Sequence, residues 1–259
     1  MKTVILCGGL GTRLSEETVI KPKPMVEIGG MPILWHIMKH YHQHGHSDFL
    51  LALGYKGDYI KKYFMDYKTI RSDIEIDLKS NKNTLKSSSA EDWKILLKET
   101  GSQSMTGGRL LRLKEALVDE ESFMLTYGDG VSDLNISELV KFHNSHDRIA
   151  TISAVRPPAR FGTMVFDGDM VSEFKEKPQA GEGWINGGFF VFRKEIFNYL
   201  KDDSTVLERE PLENLAANSE LAAYKHEGFW QPMDTLRDKL SLEESWESGT
   251  SKWKTWNDE

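Results

Sequence analysis

Three glycines and two cationic side chains near the N-terminus could together bind a polyphosphate. Gly8, Gly9 and Gly11 follow an apolar run, and Arg13 and Lys23 come shortly after them. Glycines let backbone N–H groups approach an anion without interference from a Cβ atom. A guanidinium adds a bidentate donor and a lysine adds a mobile point charge. The combination favours a nucleoside triphosphate as ligand, although a plain glycine turn between strand and helix also explains the glycines.

Two better-known glycine motifs do not fit this segment. The dinucleotide fingerprint needs a third glycine where Leu14 stands, and an acidic residue at the end of the second strand, where residues 51–55 offer none. The Walker A loop needs Gly-Lys-Ser/Thr, and no such tripeptide occurs near Gly8 or Gly11. An NAD-dependent oxidoreductase is therefore a distant alternative.

Two aspartates at separate predicted loop tips are candidate ligands of Mg2+. Asp129 lies between two glycines after an apolar run, and Asp234 precedes a helix predicted to run to about Trp246. Mg2+ takes one or two protein carboxylates and otherwise binds water and substrate phosphates. The competing interpretations are a turn residue for Asp129 and a helix cap for Asp234.

Two further motifs could contact a sugar phosphate. Glu176 and Lys177 follow one predicted strand, and Asn186 and Gly187 lie within another. Lysine can neutralise a phosphate, glutamate and asparagine can hydrogen-bond hydroxyls, and glycine lets a flat ring approach the backbone. A solvated charge pair and a β-bulge explain the same residues without a ligand.

Thr106, Gly107 and Arg109 open a predicted helix that carries Leu110, Leu113 and Leu117 on one face. Free N–H groups at that end, with Arg109 beside them, could bind an anion or the edge of a base. Capping by Thr106 is the alternative.

The histidines and tryptophans suggest no cofactor site. His36 and His40 share a helix face, but no glutamate or clearly spaced third ligand accompanies them, so we expect a surface or interface helix. Trp253 and Trp256, near a charged C-terminus, are the best candidates for a subunit interface.

The elements that must position these residues alternate between strands and helices. Apolar runs at 3–7 and 49–53 alternate with helical patterns at 32–44 and 58–65, and residues 123–127 form another apolar run. This order predicts an α/β fold with a parallel sheet, whose ligands bind beyond the carboxyl ends of the strands. Strands predicted at 150–154, 162–166, 171–175 and 185–192 would extend the same sheet. Residues 79–90 are polar, lack a hydrophobic period and predict a long exposed loop.

Bulk properties narrow the class of protein. The 259 residues contain no linker and predict a single domain over 1–259. The net charge of -7 argues against nucleic acid or an anionic membrane as partner. One cysteine, Cys7, excludes intramolecular disulfides, and the N-terminus lacks a signal-peptide pattern, so we expect a cytoplasmic protein.

The chain resembles the sugar-phosphate nucleotidyltransferase family over nearly its whole length. The segments that carry the resemblance are 8–14, 21–25, 104–110, 127–130, 176–178, 186–190 and 228–235. Residues 23–30 differ from the pattern of the thymidylyl enzymes and are similar to the cytidylyl branch. The resemblance implies a Rossmann-like, GT-A-like fold with a mostly parallel sheet, in which about 1–130 binds the nucleotide and about 131–259 the sugar phosphate.

The same resemblance implies an activity and a set of roles. The enzyme would join CTP and glucose 1-phosphate, with Mg2+, to give CDP-glucose and pyrophosphate for dideoxysugar and O-antigen synthesis, and it would form a homo-oligomer. Lys23 would hold the α-phosphate and Arg13 the leaving phosphates, with Asp129 also in the catalytic set. Asp129 and Asp234 would bind the metal, Arg109 with Gly107 the cytosine, and Glu176, Lys177 and Asn186 the hexose phosphate. The full set of implied substrate contacts is Leu6, Gly8, Gly9, Gly11, Thr12, Arg13, Lys23, Thr106, Gly107, Arg109, Tyr127, Gly128, Glu176, Lys177, Asn186 and Gly187.

Two alternatives keep the nucleotide cradle. The same chemistry could use UTP or dTTP, or the chain could be a non-catalytic sensor of nucleotide sugars. Retention of Lys23, Asp129 and Asp234 together argues against the sensor.

Overall fold

The computed structural model describes residues 1–9, 11–157, 163–175 and 183–257. Two of the predicted sugar-phosphate contacts, Glu176 and Lys177, lie outside the described residues.

The described residues form fifteen strands and seven α-helices. The strands are β1 (Thr3–Cys7), β2 (Glu27–Ile28), β3 (Met31–Pro32), β4 (Asp48–Leu53), β5 (Ser72–Asp77), β6 (Lys82–Ser88), β7 (Lys94–Glu99), β8 (Ser122–Tyr127), β9 (Gly130–Ser132), β10 (Ala150–Val155), β11 (Thr163–Asp167), β12 (Met170–Lys175), β13 (Ile185–Arg193), β14 (Leu221–His226) and β15 (Trp230–Pro232). The helices are α1 (Ser15–Thr18), α2 (Ile33–Gln43), α3 (Gly57–Ile70), α4 (Thr106–Leu111), α5 (Ile136–Asn144), α6 (Glu210–Ala217) and α7 (Leu236–Glu247).

A seven-stranded sheet in the order β14-β10-β13-β8-β1-β4-β7 organises the molecule. Strand β13 pairs antiparallel with β8 and β10, and the other pairings within this sheet are parallel. The prediction of an α/β fold with a mostly parallel central sheet is therefore confirmed. Among the residues that the structure describes, no helix is long and apolar enough to span a membrane.

The central strands are apolar on both faces because each face covers a separate core. Along β1, Ile5 and Cys7 pack into the cluster that contains helix α2. Val4 and Leu6 pack into the cluster on the opposite side of the sheet, with Leu110 of α4. Strands buried in this way form continuous apolar runs rather than alternating ones, which is why the sequence predicted them well.

Two sequence predictions about strands are wrong. Residues 79–90 are not a long loop, because β5 and β6 pair as an antiparallel hairpin whose turn contains Asn81 at φ 52°. Both faces of β6 are exposed, so it has no hydrophobic period that could be detected. Strands β11 and β12 form a hairpin of their own, whereas β10 and β13 do extend the main sheet.

The histidine helix and the C-terminal tryptophans lie in the core, contrary to the prediction of a surface or an interface. His36 is 0% exposed, and Trp253 and Trp256 are 1% and 8% exposed. Nε2 of His36 lies 2.9 Å from the carbonyl oxygen of Ile28, and its ring contacts Trp246 edge to face. Burial lowers the pKa of His36 to about 4, so the ring is neutral.

Candidate active site

A cleft of about 520 Å³ opens beyond the carboxyl ends of β1 and β8. Most of the predicted substrate and metal contacts line it together. They are Leu6, Gly8, Gly9, Gly11, Thr12, Arg13, Lys23, Thr106, Arg109, Tyr127, Gly128, Asp129, Asn186, Gly187 and Asp234. Gly107 is not among the lining residues. The parallel pairing of β1 with β8 explains this gathering, since it places the glycine loop and Asp129 at the same edge of the sheet.

Two glycines of the first loop, Gly8 and Gly11, are required by close approach or by backbone conformation. Gly11 has φ 64°, and a Cβ atom there would lie 2.8 Å from Cγ2 of Thr18. A Cβ atom on Gly8 would lie 2.2 Å from the Arg109 guanidinium. Packing and turn geometry therefore explain these two glycines in part. Gly8 makes room for the buried Arg109 side chain, and Gly11 adopts a left-handed turn conformation.

Arg109 binds the backbone that surrounds the cleft. Its guanidinium donates to the carbonyl oxygens of Gly8 at 2.8 Å and Gly101 at 2.6 Å, and to Oγ1 of Thr100 at 2.9 Å. It also lies 3.2 Å from the carbonyl oxygen of Leu53, and the residue is only 5% exposed. The guanidinium of Arg109, which was predicted to recognise cytosine, thus joins the ends of β1, β4 and β7. A contact of Arg109 with a base stays a prediction.

Lys23 joins the two aspartates. Its Nζ atom lies 2.6 Å from Oδ2 of Asp129 and 2.6 Å from Oδ1 of Asp234. Nη1 of Arg13 donates to Oδ2 of Asp234 at 2.8 Å. The two carboxylates therefore face one another across a single cation, although the chain separates them widely.

Local structure explains this convergence. Strand β9 follows Asp129, strand β15 precedes Asp234, and the two strands pair antiparallel. The N–H group of Met233 also donates to the carbonyl oxygen of Asp129 at 2.8 Å. The capping alternative for Asp234 is wrong, because Thr235 caps α7 in a capping box with Asp238. Asp129 occupies the turn between β8 and β9, and its carboxylate also faces the cleft.

Electrostatics keep Lys23 charged. The residue is 8% exposed, and burial alone would lower the pKa of its ammonium group. The charges and hydrogen bonds of Asp129 and Asp234 outweigh burial and hold the pKa above its ordinary value. The ammonium group is therefore a permanent cation of this cleft.

The two carboxylates fit a site for a divalent ion of the magnesium type. No group of three or more His, Cys, Asp or Glu side chains that could hold a metal occurs within the described ranges. These residues therefore do not form a metal site in which side chains supply all the ligands. A pair of carboxylates in a cleft that also contains a glycine loop and cations matches an ion that completes its shell with water and substrate oxygens.

A carboxylate that sequence reasoning missed lies behind two lining residues of the cleft, Tyr127 and Thr106. Glu208 accepts from Oη of Tyr127 at 2.5 Å and from Oγ1 of Thr106 at 2.6 Å. Nδ2 of Asn186 lies 3.3 Å from the same Tyr127 oxygen. Burial and then the charge of Glu208 raise the pKa of Tyr127, so the phenol stays protonated. Glu208 stands in no motif, and nothing in the sequence distinguishes it from its acidic neighbours.

Two alternatives from the sequence are resolved by packing. Thr106 is the first residue of α4 rather than its cap, and its hydroxyl bonds Glu208. The strand pair β10–β13 does contain an irregularity opposite residues 186–190. There Gly188 adopts φ 79°, and a Cβ atom on Gly188 would lie only 2.6 Å from the ring of Tyr127. The bulge interpretation is thus correct and also shapes the wall of the cleft.

Comparison with known proteins agrees with this geometry. A family model described as nucleotidyl transferase matches residues 2–258. The chain belongs to the nucleotidyl transferase family. It is 52% identical over 256 residues to a glucose-1-phosphate cytidylyltransferase from Salmonella typhi, a match that covers 99% of this chain and 100% of that protein. It is 45% identical over 257 residues to a probable glucose-1-phosphate cytidylyltransferase from Bacillus subtilis, covering 99% and 100%.

Solved structures share the fold of this family member. The crystal structure of HddC from Yersinia pseudotuberculosis superposes with a TM-score of 0.68 at 25% identity. That match covers 95% of this chain and 99% of HddC.

Proposed function

We propose that this nucleotidyl transferase joins CTP and glucose 1-phosphate to give CDP-glucose and pyrophosphate. The observation that carries the proposal is the cleft in which a glycine loop, two cations and two carboxylates meet. The choice of cytidine and glucose is supported by the 52% identity to the Salmonella typhi enzyme over its full length.

The reaction needs positioning and charge neutralisation more than acid–base catalysis. An oxygen of glucose 1-phosphate attacks the α-phosphorus of CTP, a new P–O bond forms, and the bond to the β-phosphate breaks. A phosphate monoester is largely dianionic at neutral pH because its second pKa is about 6. No general base is therefore required, and the cations of the cleft offset the repulsion between two anionic substrates.

The roles of the cations and carboxylates follow their placement. We assign Lys23 to the α-phosphate, Arg13 to the phosphates that leave, and the backbone at Gly8, Gly9 and Gly11 to the triphosphate. Asp129 and Asp234 would hold Mg2+, which when bound neutralises charge on the triphosphate and on the departing pyrophosphate.

The two parts of the chain divide the substrates in this proposal. Residues of about 1–130 bind CTP, with Leu6, Thr12 and Thr106 near the nucleoside. Residues of about 131–259 bind the hexose phosphate through Asn186 and Gly187, with Tyr127 and Gly128 between the two substrates. Glu176 and Lys177 complete the hexose phosphate contacts in this proposal.

A screen for pyrophosphate release tests the reaction. CTP, UTP, dTTP and GTP are each combined with glucose 1-phosphate and mannose 1-phosphate, with and without Mg2+. We expect release with CTP, glucose 1-phosphate and Mg2+. Hydrogen bonds to a base edge can discriminate by roughly ten-thousandfold, so the other triphosphates should be far slower. Preference for UTP or dTTP would overturn the assignment of the base, and no release with any pair would favour a non-catalytic sensor.

The assembly and the pathway belong to the same proposal. Residues of α3 and the β5–β6 hairpin expose apolar side chains, with Met65 at 80%, Ile70 at 71% and Leu78 at 88% exposure. Such exposure supports a homo-oligomer that covers this surface. Sedimentation or light scattering of the purified protein would give the mass, and a monomer would contradict it. The product would enter dideoxysugar and O-antigen synthesis.

A further inference from the structure

Cationic donors already occupy most of the carboxylate pair that we assign to the metal. Nζ of Lys23 lies 2.6 Å from one oxygen of Asp129 and 2.6 Å from one oxygen of Asp234. The second oxygen of Asp234 accepts from Arg13 at 2.8 Å. Three of the four carboxylate oxygens are therefore engaged by positive groups of the chain.

A metal ion and the ammonium group would repel each other if both bound the same carboxylate oxygens. Mg2+ binds its oxygen ligands at about 2.0–2.1 Å. An ion shared by Oδ2 of Asp129 and Oδ1 of Asp234 would thus lie directly beside Nζ of Lys23. A monovalent and a divalent cation repel strongly at such a separation, and the low exposure of Lys23 limits screening by solvent.

We propose that Lys23 competes with the metal for Asp129 and Asp234, holding the two carboxylates until an ion enters and displaces it. This rests on the proposed function, which offers the displaced ammonium group a second partner in the α-phosphate of the nucleotide. The lysine side chain is a flexible four-carbon stem, and Lys23 lines the cleft, so its ammonium group can reach an anion there without backbone movement.

If Lys23 competes with the metal, removing its ammonium group should strengthen the binding of a divalent ion. Removal of the ammonium group abolishes a contact to substrate, but it also frees one oxygen of Asp129 and one of Asp234 for the ion. Lys23→Met should therefore bind a divalent ion more tightly than the unchanged enzyme when no nucleotide is present. We expect a gain of at least roughly tenfold, because a unit charge a few ångströms from an ion contributes more than this factor.

The measurement is titration of the nucleotide-free protein with Mn2+ alone, followed by electron paramagnetic resonance of the free ion. Lys21→Met is the matched control, since Lys21 lies two positions earlier and pairs with Glu27 at 3.0 Å instead of with the aspartates. It should bind Mn2+ as the unchanged protein does. Lys23→Arg keeps the charge and should keep weak binding.

Two further variants make the outcome decisive. Lys23→Met combined with Asp234→Asn should lose the gain, which locates the extra ion at the carboxylates. Circular dichroism and thermal unfolding identify any variant that fails to fold, and a folded Lys23→Gln protein, in which the same gain is expected, then replaces Lys23→Met.

Equal or weaker Mn2+ binding by folded Lys23→Met would overturn the competition, as would tight binding by Lys23→Arg. Neither result involves CTP, so the proposed reaction could stand while this inference fails. Conversely, an enzyme that releases no pyrophosphate could still show the predicted gain.

Discussion

Arg109 and Lys23 are both buried cations of one cleft, but they bind different kinds of partner. Arg109 donates to uncharged groups, chiefly the backbone carbonyls of Gly8 and Gly101. Within the described residues, Lys23 donates only to carboxylates, those of Asp129 and Asp234. The carbonyl groups bound by Arg109 are part of the backbone of the loops. The carboxylates bound by Lys23 can also bind another cation in its place.

The difference indicates that charge and burial do not by themselves mark a catalytic cation. Arg109 joins carbonyl groups at the ends of three strands through hydrogen bonds from a charged donor, so it contributes to folding. Lys23 neutralises carboxylates that a metal ion could neutralise equally well, so its contribution can change during a reaction. The partners of a buried cation, more than its exposure, separate the two roles.

The largest expected effect is on stability at the arginine. Arg109→Met would remove the charged donor that joins the carbonyl groups of Gly8, Leu53 and Gly101, and hydrogen bonds to a charged group contribute about 1.5–3 kcal/mol each. We expect the free energy of unfolding to fall by roughly 4 kcal/mol or more. Urea denaturation measures it, and Lys23→Met should lose distinctly less. Equal losses in the two variants would break the contrast between them.

The next effect is on catalysis at the lysine. Lys23→Ala should lower the turnover number by roughly a hundredfold or more, the usual result of removing one preorganised donor to a transition state. Steady-state rates of pyrophosphate release at saturating CTP, glucose 1-phosphate and Mg2+ measure it. Normal turnover in this variant would remove Lys23 from the catalytic set.

We do not expect a fall in pH to affect the protein through Lys23 or Arg109. The raised pKa of Lys23 keeps it charged, whereas burial lowers the pKa of His36 and of His40 to about 4. Since an unfolded histidine titrates near 6.5, the unfolded chain binds more protons between these values, and stability falls as pH falls through this window.

Each histidine should remove roughly 2 kcal/mol of stability between about pH 7 and about pH 5. Charged or titratable groups near these rings are Lys254 for His36, and His44, Asp133 and His226 for His40. Urea denaturation at the two pH values measures the loss, and His40→Gln should reduce it by roughly 2 kcal/mol, the contribution of that ring. The same pH dependence in His40→Gln and the unchanged protein would contradict this explanation.

The smallest expected effect is at Glu208, which joins Tyr127 to Thr106. Glu208→Gln can no longer accept from both Tyr127 and Thr106, so we expect the KM for glucose 1-phosphate to rise about tenfold, the value of one hydrogen bond to a charged group. The turnover number should change less. If Glu208 acts through the phenol, Tyr127→Phe should raise the KM similarly, and the double variant should add little. Strict additivity would assign Glu208 a separate role.

Much of the fold could be predicted from the sequence because buried strands and helices have recognisable patterns of apolar residues. The apolar runs of β1, β4 and β8 and the helical pattern of α2 were predicted within a few residues. The hairpin of β5 and β6 was missed because exposed strands have no such pattern. Trp253 and Trp256 were misplaced because they pack against aromatic rings of α2, Trp35 and His36, which are distant in the chain.

The residue types of the cleft were determined by the sequence alone. Gly8, Gly11, Arg13 and Lys23 lie within one short segment, and a local pattern is enough to predict a phosphate cradle there. What each cation binds was decided only by the tertiary structure. The pairing of β9 with β15 brings Asp234 to Lys23, and the packing of α4 turns Arg109 toward carbonyl groups. Such partners are set by contacts between residues far apart in the chain, and short-range spacing contains no information about them.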